Sequence, residues 1–240
     1  MFGFVAGAGI PVVALEPTLV SGTVAKQIGS SHEVTITGMS GVPKTLIIVF
    51  NQFSNGSIVA DNMTGFTVDG ETPTRDIFET NNSYDDGNYA GIYRHFIGGK
   101  DEVTIDFGSS ITSLTLSRSS YTVFAVDGDP ELSAVYSYDN TDGSTSTEIV
   151  RNAGDLLVAG IATHDTVIDG GMSNTTKPTI SDMTLVDVES PDPTWYKSFC
   201  YFTGYKYSSA AETLTHTTRS YHYDGRYKSI VYALYKKRGS

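Results

Sequence analysis

Two stretches decide the reading: TLIIV (45–49), inside KTLIIVF, and DLLVA (155–159), inside GDLLVAG. Each is a near-continuous apolar run of strand length that follows a turn signal, the pattern of a strand covered on both faces. They lie 110 residues apart. Further pairs follow in the same order. MTGFTVD (63–69) pairs with MTLVD (183–187), the offset being stretched by an insertion in THDTVIDGGMSNTTKPTISD (163–182). NYAGIYRHF (88–96) pairs with WYKSFCYF (195–202), VTIDF (103–107) with ETLTH (212–216), and YTVFAV (121–126) with SIVYAL (229–234). Five matches in one order argue that a single strand pattern is written twice.

The expected fold is therefore all-β: two tandem related β-sandwich domains, of jelly-roll or immunoglobulin-like topology, with an apolar N-terminal arm. The expected division is an arm at 1–21, a first sandwich at 22–130 and a second at 131–240. Length agrees, since 240 residues make two domains each large enough to bury a core. So does composition. Fifteen Tyr, 11 Phe and 24 Gly with only 18% charged residues suit short strands and Gly-marked turns. The segment GDPELSAVYSYDNTDGSTST (128–147) reads as turns and a linker. No amphipathic helical pattern of about 12 residues is present.

Sixteen basic against 27 acidic residues give a formal charge of −11, which repels a phosphate backbone, so no nucleic-acid partner is expected. The short basic end Lys236, Lys237 and Arg238 reads as a solvated tail. A lone cysteine, Cys200, supplies neither a disulfide nor a zinc pair, which points to a reducing cytosol as the place of synthesis. The first residues, MFGFVAGAGIPVVAL, are too short and too interrupted to cross a membrane, and no membrane partner is expected. Phe2, Phe4, Val5, Ile10, Val12, Val13 and Leu15 instead form a candidate anchoring arm.

Chemistry is hard to find. Ser40 and Ser173 lack the closing Gly of a nucleophile elbow, and Gly98-Gly99-Lys100 lacks the rest of a phosphate-binding loop. His32, His95, His164, His216 and His222 show no metal-ligand spacing. The acidic turns at 85–88, 127–129 and 139–143 hold oxygen ligands of the kind calcium takes, but Asp, Asn and Gly are also what turns require. No catalytic residue, metal or cofactor is assigned, and the chain is read as no enzyme.

The strongest binding signal is aromatic. Nine of the 15 tyrosines follow Asp192, with Trp195, Phe199 and Phe202 among them. In SYHYDGRYKS (220–229) the Asp224-Gly225 pair fits a type I′ turn that presents Tyr221, Tyr223 and Tyr227 beside Arg226. Trp195, Tyr221, Tyr223, Arg226 and Tyr227 are thus a candidate contact surface, for a subunit interface or a host-surface glycan.

From about Thr23 onward, with a first half ending in VFAVDG, a second opening on AGDLLVAGIATHD and a last strand SIVYALYK, the chain resembles bacteriophage virion β-sandwich proteins. That resemblance implies a structural part of a head, tail fibre or baseplate, decorating or attached to the particle through contacts with other virion proteins and copies of itself. It places the protein in the virion, assembled in the host cytoplasm, and carries over no catalytic residue. The alternatives are a host-surface or carbohydrate-binding module, and a double-barrel capsid shell protein.

Overall fold

The computed structural model describes residues 16–25, 33–54, 65–83, 86–108, 117–140, 144–165, 179–180, 183–188, 198–207, 210–219 and 227–238. These residues are all-β, with no helix among them, and so none long and apolar enough to cross a membrane. The strands of the first half are β1 (Thr18–Ala25), β2 (Glu33–Ile36), β3 (Lys44–Ser54), β4 (Thr67–Val68), β5 (Thr74–Ser83), β6 (Asp86–Gly98), β7 (Val103–Asp106) and β8 (Ser117–Asp127). Those of the second are β9 (Glu131–Asn140), β10 (Ser144–Arg151), β11 (Leu156–Asp165), β12 (Thr179–Ile180), β13 (Thr184–Val188), β14 (Ser198–Tyr207), β15 (Glu212–Arg219) and β16 (Tyr227–Lys236).

They form four antiparallel sheets. Two are large, ordered β1-β8-β3-β6-β5 and β9-β16-β11-β14-β13, and two are small, ordered β2-β7-β4 and β10-β15-β12. Adding eight to each strand number turns the first member of each pair into the second.

The apolar runs at β3 and β11 explain how the sheets stack. Side chains alternate between the faces of a strand. Leu46, Ile48 and Phe50 of β3 enter a core shared with β7 and with Phe66 and Phe107, under the first small sheet. Ile47 and Val49 enter a different core. In β11, Leu157, Ala159 and Ile161 pack with Ile149 under the second small sheet. Leu156, Val158 and Ala162 meet Ile47 and Val49 in the same central core. The large sheets therefore lie face to face, with a small sheet outside each, in four layers and three cores. A strand in the second or third layer has no solvent face, which is why its sequence does not alternate.

The outer core of the first half is aromatic. Phe107 stacks on Phe66 and Phe50, with ring centroids 5.3 and 5.7 Å apart, and Tyr121 closes on Phe107 at 4.6 Å. Tyr89 lies against Phe50 and hydrogen-bonds through its hydroxyl to that of Tyr93. Gly91 makes room for it: a Cβ there would stand 2.7 Å from the Tyr89 ring.

All four outermost strands of the large sheets carry a bulge at their third residue. Val20 is the extra residue of β1, Asp76 of β5, Ser133 of β9 and Val186 of β13. In β9 the bulge is visible in the packing. Leu132 faces the central core while Ala134, Tyr136 and Tyr138 face the outer one, a change of side that two-residue spacing does not give without an inserted residue.

Three expectations change. The segment 128–147 is not a linker, because most of it is β9 and the start of β10. MTGFTVD contains β4 of a small sheet, whereas MTLVD opens β13 of a large one, so the two occupy different places. The 110-residue offset also sets Ile47 opposite Leu157, which face different cores. A slip of one residue exchanges the faces of a strand. The arm at 1–15 lies outside the described residues.

Candidate functional site

Side-chain bonds that join the two halves lie in the space between the large sheets. At its centre Gly160 of β11 lies under β3: a Cβ there would stand 2.8 Å from Val49 Cγ1 and 3.1 Å from Asn51 Oδ1. Only a residue without a side chain permits so close an approach. Towards the end of β3 near Asn51 the space becomes polar. The Thr122 hydroxyl is 3.0 Å from that of Thr203, and Ser229 Oγ donates to the carbonyl of Asn88 at 3.2 Å, each bond joining one half to the other. Asn51, Asn88, Ser120, Thr122, Thr203 and Ser229 are all buried. Towards the opposite end Phe124 meets Tyr205 edge to face at 5.4 Å.

The β5 bulge sends Asp76 into this space. Its carboxylate accepts from Tyr235 at 2.7 Å and from the Arg94 guanidinium at 3.2 Å, and its side chain is only 1% exposed. Burial holds the Asp76 carboxyl above the usual carboxylate range, against the lowering effect of both donors. The Tyr235 phenol is pushed well up, first by its own burial and then by the neighbouring carboxylate. Carboxylate, phenol and guanidinium together could serve proton transfer, but a group closed to solvent meets no substrate. Here they work as a tie between the halves.

Arg94 also donates to the Pro130 carbonyl at 2.7 Å. Each residue from Asp127 to Glu131 is fastened. Asp127 pairs with Lys44 at 2.6 Å, Gly128 bonds with Pro43 and Thr45, Asp129 pairs with Arg238 at 2.9 Å, and Glu131 lies 3.7 Å from Lys236. The acidic turn 127–129 is thus neutralised by basic side chains. The basic end of the chain, expected to be a solvated tail, supplies one of them, Arg238, and its Lys236 reaches Glu131.

A second buried ion pair lies in the second half. Arg151 of β10, with a fully buried side chain, binds Glu212 of β15 and the carbonyl of Lys206 at 2.9 Å. Burial lowers its pKa, with Glu212 opposing. On the surface, Asp69 is held below the usual carboxylate range by Lys100 and the Thr104 amide, which outweigh its desolvation. His95 is lowered by burial and lies 4.0 Å from Glu71. Among the described residues no group of three or more His, Cys, Asp or Glu could hold a metal ion.

Trp195, Tyr221, Tyr223 and Arg226 lie outside the described residues, as do Phe2, Phe4, Val5, Ile10, Val12, Val13 and Leu15. Tyr227 is the first residue of β16, opposite His164 of β11. Of this set Tyr227 alone belongs to the described residues. The structure brings together Asp76, Arg94, Tyr235, Thr122, Thr203 and Gly160, which share no motif in the sequence. Only Gly160 carried a signal, as a glycine ending an apolar strand run. No protein family, curated protein or solved structure matches the chain.

Proposed function

We propose that this chain is a non-enzymatic structural component of a bacteriophage virion, decorating or attached to the particle through subunit contacts. The observation that carries the reading is the doubled strand order. In each half the first, eighth, third and sixth strands lie side by side, and the second, seventh and fourth form the facing sheet. This order is like that of a jelly roll, a sandwich common in viral capsid proteins and also in lectins, except that the fifth strand of each half pairs with the sixth in the large sheet instead of with the fourth. We read the chain on this ground as two tandem jelly-roll-like sandwiches, divided between β8 and β9 and joined through their large sheets. Such a stack is suited to bearing load and presenting outer surfaces.

The bulges refine the assembly reading. An extra residue in an outermost strand twists it away from further pairing, so the large sheets are poor sites for edge-to-edge growth. Contacts with neighbours fall instead to the small outer sheets and to segments outside the described strands.

Purified particles provide the test. The chain should be found by mass spectrometry in particles banded by density, at a fixed copy number, and a labelled antibody should mark one site on them. Recovery only from the soluble fraction of the lysate would overturn the proposal.

A further inference from the structure

The two halves point the same way. Leu156, at the start of β11, lies opposite Tyr235, which reaches Asp76 near the start of β5, while Gly160, farther along β11, lies under Val49 and Asn51, farther along β3. The connections from each even-numbered strand to the next therefore share one end of the molecule, and those from each odd-numbered strand share the other. The ends differ. At the first the connections are short, the longest being 37–43, and several are tied together. The Met39 and Ser40 amides donate to Asp101, Lys100 pairs with Asp69, and the Gly128 amide donates to the Pro43 carbonyl. At the second end the segments between strands are longer, with 55–66, 107–116 and 166–178 among them.

The tied end also receives both ends of the described chain. Thr18, opening β1, pairs with Ala125, and Arg238 bonds Asp129. Residues 1–15, which include no charged side chain, join the described chain here. At the same end Val42 and Phe96 are 53% and 50% exposed. Both border the connector: Val42 precedes Pro43, and Phe96 lies opposite Thr45, whose hydroxyl donates to the Gly128 carbonyl. Lys44, Lys100, Lys236 and Arg238 are all paired within the chain, whereas Glu71, Asp101 and Glu102 are exposed. Apolar surface beside an acidic rim suits a partner with an apolar centre and a neutral or basic rim. A second copy meeting end to end would set this rim against itself, and like charges oppose that contact.

We propose that the molecule attaches to its particle by the tied end, with Val42, Phe96 and the apolar residues 1–15 meeting an apolar, neutral or basic surface of another virion protein, and that the opposite end faces outward. This rests on the reading of the chain as a virion part, and the two fail separately. Particles assembled with full-length Val42→Ser/Phe96→Ser should carry at least about tenfold less of the chain, because the lost contact is apolar area. The melting temperature of the free variant should match the parent, and Val135→Ser, also at an exposed apolar residue but away from this end, should be incorporated at the parental copy number. Amine-reactive footprinting should show Lys100 protected in intact particles relative to the free chain, and Lys228, at the opposite end, equally reactive in both. Parental incorporation of the double variant, or Lys100 as reactive in particles as in the free chain, overturns attachment by this end and leaves the chain a virion part. Absence of the chain from particles overturns both.

Discussion

Replacing Gly160 with Ala tests the four-layer arrangement at its tightest point. The added Cβ would stand 2.8 Å from Val49 Cγ1, 3.1 Å from Asn51 Oδ1 and 3.3 Å from Val231 Cγ2. Two of these atoms belong to the other half, on a central strand that cannot move without disturbing both of its cores. Overfilling a packed interior costs roughly 1–3 kcal/mol. The lower entropy of Ala in the unfolded chain returns about 0.4–1 kcal/mol, leaving a net loss of about 1–2 kcal/mol. For a chain of this length that is a fall of roughly 2–8 °C in melting temperature. Thermal and urea unfolding followed by circular dichroism would measure it. Val49→Ala should rescue part of the loss, so that the double variant is more stable than the sum of the singles by about 0.5 kcal/mol or more. Strict additivity, or a Gly160→Ala variant as stable as the parent, would refute the contact of β3 with β11 on which the stacking rests.

Removing Arg151 vacates a buried site, but Glu212 stays 30% exposed and keeps Lys206 at 3.8 Å. Arg151→Ala should therefore cost less in urea unfolding than the about 3–5 kcal/mol of a fully buried pair, while Arg151→Met paired with Glu212→Gln should recover most of the loss. Asp76 provides a pH test. Its folded-state pKa lies above the unfolded value of 3.8, so the folded chain binds the proton more tightly and loses stability as pH climbs through that raised value. The advantage of the parent over Asp76→Asn should be largest near pH 4 and shrink towards neutrality, as read from urea midpoints. An advantage that grows with pH would mean that Arg94 and Tyr235 outweigh the cost of burial.

The sequence was most legible where the physics is simplest. TLIIV and DLLVA announce strands covered on both faces, and β3 and β11 are the central strands of the large sheets. The same uninterrupted pattern hides register: with no polar residue to mark a face, Ile47 and Leu157 look equivalent although they enter different cores. β9 went unread because Asp129, Pro130 and the turn residues around it masked the alternation of Ala134, Tyr136 and Tyr138. MTGFTVD and MTLVD share letters rather than position. The tie at Asp76 was beyond reach, since Asp76 and Tyr235 are 159 residues apart and meet only because a bulge turns one of them inward. The aromatic set around Trp195 was marked by composition alone, and composition gives no position in space.

The fastened stretch from Asp127 to Glu131 has a mechanical consequence. A connector gripped at every residue, some grips from one half and some from the other, cannot serve as a hinge. Salt will screen the exposed grips of Lys44, Lys236 and Arg238, but hardly the buried Asp76 beneath them. With layers about 10 Å apart, the two small sheets are then held roughly 30 Å from each other.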